Sequence, residues 1–132
     1  MNNEKKNTNW VFNLDDKKLG IPRKLAEGIT TRIFFGEQAM VSVVEFEPNA
    51  KGTLHYHTEE QWGLLLKGSL ERIQGDEIVV MEEGDFWLTP SNVPHTIHAG
   101  KHGATVLDIF SPIRKEYIQA GEGFGEQKKS QE

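Results

Sequence analysis

Three observations predict an all-β chain, an antiparallel sandwich or barrel of about eight strands. Short segments that alternate apolar and polar residues recur between residues 31 and 110. Turn-forming residues separate them at close intervals. No apolar period of 3.6 residues runs through the middle of the chain, so helices are not expected there.

In chain order, residues 1–9 are polar and are expected to form a mobile tail, with no apolar stretch of a secretory signal. Trp10, Val11 and Phe12 form an apolar island, either docked on their own barrel or reaching across a dimer. Residues 16–27 admit a helix, although Gly20 and Pro22 interrupt it. Residues 31–35 and 40–47 alternate as strands around the turn at Gly36 and Glu37. Residues 53–57 and 61–67 follow, and Gly68 punctuates the second. Residues 70–73 and 77–81 flank Gln74-Gly75-Asp76, a tight hairpin. Residues 85–89, 94–98 and 105–110 complete the set, with a second short helix admitted at 114–120. The Gly-rich charged stretch 121–132 is expected to be a second mobile tail.

A chain of 132 residues fits one domain, 1–132, with the barrel at about 29–114. It has no cysteine, so disulfides and thiolate metal ligands are excluded, and a reducing cytoplasm is the expected compartment. A net charge of −5 with scattered Lys and Arg argues against a nucleic-acid partner. The longest apolar run is Gly63-Leu64-Leu65-Leu66, far short of a membrane span. What survives is a cytoplasmic domain acting on a small molecule.

The chemistry concentrates in two stretches. Residues two apart in a strand point to one face, so His55 and His57 project together. Gln61 keeps their parity beyond an expected turn at residues 58–60. His95, at the end of a stretch that begins at Gly84, is placed to complete a site from a strand adjacent across a barrel. Imidazoles suit Zn, Fe, Ni, Cu and, less selectively, Mn, and an amide oxygen is a weaker neutral ligand. Three imidazoles and one amide would leave the charge of a divalent ion uncompensated and strengthen it as a Lewis acid. Glu59 and Glu60 are rival carboxylates. His98 has the opposite parity to His95, and His102 falls in an expected turn at 99–103, so both are read as solvated.

Together the stretches match both halves of the cupin signature, Gly…His-x-His-x3-4-Glu-x6-Gly and Gly-x5-Pro-x-Gly-x2-His-x3-Asn. The sequence therefore resembles the cupin superfamily over residues 29–114, which implies a jelly-roll barrel holding one divalent metal (Ni, Zn, Fe, Mn or Co) on His55, His57, Gln61 and His95. It departs from the signature at Gln61 for Glu, Asn92 for Gly and Ala99 for Asn. The first departure weighs against standard iron or manganese oxygenase chemistry.

Asp108 shares a strand face with Val106 and Phe110, and parity alone does not say whether that face is inside or outside. The Asp-x-Phe-x-Pro-x-Arg ending at 108–114 looks like small cupins of the KdgF type, which ketonise 4,5-unsaturated monouronates in pectin and alginate breakdown. That resemblance implies that Asp108 shuttles a proton, Phe110 shapes the sugar pocket and Arg114 holds the substrate carboxylate. It also implies a homodimer. An iron or manganese dioxygenase and a non-catalytic ligand-binding cupin use the same ligands and stay open. Trp62, Phe86 and Trp87 are expected in the core, and Tyr56 outside the barrel.

Overall fold

The computed structural model describes residues 8–118 and 121–124. Its strands are β1 (Ile21–Ala26), β2 (Ile29–Phe35), β3 (Met40–Phe46), β4 (Glu60–Gln74), β5 (Glu77–Met81), β6 (Phe86–Thr89), β7 (His95–Ser111) and β8 (Gly121–Glu122), with one 3-10 turn at Lys115–Ile118. They form a single sheet in the order β5-β4-β7-β3-β2-β1-β8, with β6 also paired to β4. This is the all-β cupin jelly roll. All of its pairings are antiparallel except β1 with β8.

The barrel closes because its two longest strands bend. β4 runs 15 residues and β7 runs 17, and each serves both halves of the molecule. Their ladder slips between Leu65 and Lys67 and again between Gly68 and Leu70. Bulges of this kind bend a strand and turn its faces over. In β7 the buried alternation runs through His95, Ile97 and Ala99 before the bend and through Ala104, Val106, Asp108 and Phe110 after it, with Thr96 also buried. Gly68 sits at the bend with φ 90°, and a Cβ there would lie 2.0 Å from the Gly103 carbonyl oxygen. No side chain fits.

Inside lie Ile29, Ile33, Met40, Val44, Leu65, Leu70, Val106 and Tyr117, which fill one continuous core. Fully burying each such side chain contributes about 1.5–3 kcal/mol, so the core fixes which face of every strand turns inward.

Several expectations are corrected. Within the helix admitted at residues 16–27, residues 21–26 are β1 instead: inward Arg23 and Leu25 alternate with exposed Pro22 and Lys24, and Pro22 removes a donor. At residues 53–57 there is no extended strand, only a bridge between His55 and His95. Gly68 is a bulge inside β4 rather than its end, and of the expected strands 94–98 and 105–110, residues 95–98 and 105–110 belong to the one strand β7. His102 is therefore in a strand, though exposed, not in a turn. Of the three aromatics expected in the core, Trp62, Phe86 and Trp87, only Trp87 is buried; Trp62 and Phe86 are 43% and 68% exposed. Tyr56 is half-buried. Phe12 lies against Phe34 of the same chain, ring centroids 4.7 Å apart. The expected first tail lies mostly outside the described residues. Within the second, Gly121–Glu122 pairs with β1, and residues 125–132 lie outside the described residues.

Candidate metal centre

The three histidines meet at one end of the barrel. His55 and His95 are joined by reciprocal backbone bonds, His55 N to His95 O at 3.1 Å and His95 N to His55 O at 2.8 Å. His57 comes from the same segment as His55, and Gln61 from the start of β4. One ligand-type nitrogen from each of the three rings lies within 4.8 Å of the others.

Each ring is oriented by its own backbone. Nδ1 of His55 faces Thr53 O at 2.6 Å, Nδ1 of His57 faces Glu59 O at 2.9 Å, and Nδ1 of His95 faces Val93 O at 2.8 Å. A carbonyl only accepts, so each Nδ1 carries the proton and each Nε2 keeps a lone pair. Burial lowers the pKa of all three, to about 3 for His55, about 4 for His57 and about 2 for His95. The rings are thus neutral at ordinary pH, the form that binds metals.

Two further observations fit a cation. His95 Nε2 is buried without a hydrogen-bond partner among the described residues. Gln61 Oε1 stands 3.0 Å from His57 Nε2. With Nδ1 protonated, two lone pairs face each other there, and the opposite tautomer moves the conflict to Glu59 O. A cation between them relieves it, and ligand bonds of about 2.0–2.2 Å to one ion give such a spacing. The donor set of three imidazoles and one amide oxygen suits a divalent ion. The rival carboxylates are elsewhere: Glu60 is exposed, and Glu59 Oε1 lies 3.6 Å from Nδ1 of His57 and 3.9 Å from Arg114 Nε.

Beside this cluster a small cavity of about 30 Å³ is lined by His55, Gln61, Arg72, His95, Asp108, Phe110, Arg114 and Phe124, among others. The inward reading of the β7 face is the observed one: Asp108 is buried, while Ile109 is 39% exposed. Gln61 donates a side-chain hydrogen bond to Asp108, so the one amide links the carboxylate to the histidines. Burial raises Asp108 to about 6, against the opposing pull of Arg72, Gln61 and Arg114. Phe110 lies edge-on to His57, with centroids 5.6 Å apart. Arg114 is almost wholly buried, its guanidinium 4.2 Å from the Tyr117 ring centre.

Sequence reasoning missed two residues. Arg72 is buried on β4, donates to Thr89 Oγ1 at 2.7 Å and to Gln74 Oε1 at 3.2 Å, and leans on Trp87. Burial lowers its pKa to about 10, so it stays charged. Its parity differs from that of Gln61, and only the bulges bring both inside. Phe124 lies in the segment read as a tail, yet stacks on His55 with centroids 4.4 Å apart.

The Cupin_2 family model, described as a cupin domain, matches residues 42–110, slightly more than half of the chain. The chain belongs to the cupin family. Among solved structures it is similar to KdgF from Halomonas sp., with 28% identity, a TM-score of 0.68, and coverage of 72% of this chain and 88% of that one. An RmlC-like cupin from Shewanella frigidimarina NCIMB 400 shares the fold at a TM-score of 0.70 and 22% identity, covering 76% of this chain and 91% of that one. Among curated proteins, oxalate decarboxylase OxdC of Bacillus subtilis (strain 168) is 34% identical over 91 residues, which is 64% of this chain. The chain spans only 24% of that relative's length. A structure of the Bacillus subtilis oxalate decarboxylase with Mn(II) centres aligns at a TM-score of 0.63 and 28% identity, over 69% of this chain and 27% of that one. No described helix is long and apolar enough to cross a membrane.

Proposed function

We propose that the chain is a metal-dependent enzyme that isomerises an unsaturated uronate to its ketonised, ring-opened form without redox change. The observation that carries this reading is Asp108, a buried carboxyl poised near 6, bonded to Gln61 and sharing one cavity with two buried arginines. Similarity to KdgF from Halomonas sp. supports the same class.

In the proposed reaction the anomeric hydroxyl of a 4,5-unsaturated uronate gives up its proton and the C1–O5 bond breaks, forming an aldehyde. The electrons of the C4=C5 bond take a proton at C4, and C5 becomes a ketone. One proton moves and no oxidant is needed. A divalent ion on His55, His57, Gln61 and His95 would supply Lewis acidity toward the sugar oxygens. Asp108 is the group that accepts the hydroxyl proton and returns one to carbon, a task that favours a pKa near the working pH. Arg114 pairs the substrate carboxylate through two parallel hydrogen bonds, and its Nη1 has no hydrogen-bond partner among the described residues. Phe110 gives the sugar an apolar wall. Arg72, facing Asp108 electrostatically, holds that carboxyl from rising further.

The test is a 1H NMR time course with freshly generated 4,5-unsaturated galacturonate and mannuronate. Metal-loaded protein is expected to speed loss of the vinyl proton, and EDTA treatment to abolish the effect. Asp108→Asn is expected to lose about 10²–10⁴ of the acceleration, the usual worth of general acid–base catalysis. No acceleration of either sugar by the loaded protein would end this reading. The similarity to oxalate decarboxylase favours a second one, a manganese cupin acting on a small dicarboxylate; formate released from oxalate by Mn(II)-loaded protein in the same spectrometer would select it.

We further infer a homodimer, formed through the outer face of the sheet. Across it Leu88, Trp62, Ile109, Val41 and Phe34 stand opposite one another in register. Phe86, Leu64 and Leu107 form a second row beside them, which ends at the buried Val43. Five strands at about 4.8 Å spacing make this apolar face roughly 20 Å wide. It contains no charge in the first row, and a flat face of one chemistry is self-complementary about a two-fold axis.

A further inference from the structure

The stretch Gly121-Glu122-Gly123-Phe124 lies beyond the residues matched to the cupin family, yet it reaches the metal centre. Arg23 of β1 anchors it. Its guanidinium donates to Gly123 O at 2.7 Å, to Glu122 O at 2.8 Å and to Glu116 O at 2.8 Å. Gly123 N in turn donates to Lys24 O at 2.7 Å. Past this anchor the chain turns at Gly123, whose φ is 84°, a conformation that glycine adopts at little cost. Phe124 then lays its ring on His55, 4.4 Å between centroids and 27° from parallel. Its carbonyl accepts a hydrogen bond from Arg114 Nη2. Beneath the ring is Gly52, where a Cβ would approach Phe124 to 3.6 Å.

The closed arrangement leaves about 30 Å³ inside, the volume of a water or an ion. Pockets for organic ligands usually hold about 300–1,000 Å³. A sugar acid therefore cannot share the site with Phe124 in this position. Among the described contacts, opening breaks the aromatic stack, one hydrogen bond and the packing of Phe124 against the core, while the Arg23 anchor stays in place.

We propose that Phe124 is a gate on the metal centre, hinged at Gly123 and latched by Arg114, and that a carboxylate opens it by taking Arg114 from the Phe124 carbonyl. The latch and the ligand compete for one guanidinium. Binding of the acid and opening of the site are then one exchange, and a neutral sugar lacks the means to trigger it. The closure itself stands on these contacts alone, whereas the choice of a uronate as the opening ligand rests on the function proposed above.

Two measurements on the full chain test this without turnover. First, Co(II)-loaded protein is mixed with excess EDTA and metal loss is followed by visible absorption. Phe124→Ala is expected to lose metal about tenfold faster than wild type, since a stacked ring and one hydrogen bond are removed. Phe124→Leu, which keeps apolar cover, is expected to fall between them. Equal rates in all three proteins would overturn the gate. Second, chymotrypsin is used to release the peptide 125–132, detected by mass. Galacturonate, a saturated acid, is expected to speed cleavage after Phe124 severalfold in wild type, and galactose to leave it unchanged. If galacturonate and galactose act alike, the exchange at Arg114 is wrong. Neither readout depends on the unsaturated substrate, so failure of the proposed reaction and failure of the gate are separate results.

Discussion

At the scale of single residues, the site is governed by burial. Desolvation holds His55, His57 and His95 neutral and Asp108 partly protonated, each the form that the proposed chemistry uses. The same shifts make stability depend on pH. Asp108 is raised from 3.8 to about 6, so as pH rises the unfolded chain ionises first. Its favourable contribution is complete below the unfolded value and is lost as pH climbs through about 6, a loss on the order of 3 kcal/mol. The histidines act in the other direction. Their folded values lie below 6.5, so their contribution is present above that pH and fades as pH falls toward 4 and lower. Three histidines outweigh one carboxyl, so metal-free protein is expected to gain stability as pH rises from about 4 and to level off above about pH 7. Asp108→Asn should gain on wild type by about 1–3 kcal/mol in urea unfolding at pH 8 and by little at pH 4. A difference that stays constant across that range would show that burial does not control this carboxyl.

At the scale of elements, the two long strands matter most, because their bulges decide what faces inward. Gln61 and Arg72 differ in parity, as do His95 and Asp108, yet all four are buried at one end of the barrel. Gly68 is the pivot. A methyl group there would overlap the Gly103 carbonyl, and the backbone is in the left-handed region. Gly68→Ala is thus expected to cost about 2–4 kcal/mol, combining backbone strain with a displaced strand. Metal affinity should fall with it, since Gln61 and His95 stand on opposite sides of the bend in the β4–β7 ladder. Urea unfolding and Co(II) titration of this variant test both effects. A variant as stable as wild type would mean that the bend does not need the close approach. Asn92 shows a gentler solution to the same problem. It adopts φ 67° where the family signature has Gly, and Asn is among the few other residues that tolerate this region.

At the scale of the whole molecule, the fold places a metal-binding cluster, a buried carboxyl and two arginines at one end of a barrel, and leaves a broad apolar sheet face outside. The proposed dimer would form through that face. Sedimentation equilibrium is expected to give a dimer for wild type and a monomer for Trp62→Glu, which puts a charge in the middle of the first row. A monomeric wild type would leave the apolar rows without their proposed partner. Much of the molecule was legible beforehand. Turn residues and alternation gave the all-β class, and the spacing of His55, His57, Gln61 and His95 gave the cluster, because a strand's two-residue period and a short turn are local properties. The segment ending at Arg114 pointed to the buried Asp108 and Phe110 only through family resemblance, since parity left both faces open. The rest depended on contacts distant in sequence. Pattern reading stops at a bulge, so it could not carry the inward face from Gln61 to Arg72, nor join residues 95–98 to 105–110 as one strand. It also gave no sign that Gly121-Glu122-Gly123-Phe124, polar and glycine-rich, would be anchored over the centre by Arg23, 100 residues away from Gly123, with Arg114 bonded to the Phe124 carbonyl. Short-range periodicity and residue chemistry set the class of fold and the ligands on offer. Tertiary structure alone decided which charges share the cavity and what covers it, because burial and long-range hydrogen bonds exist only once the barrel has closed.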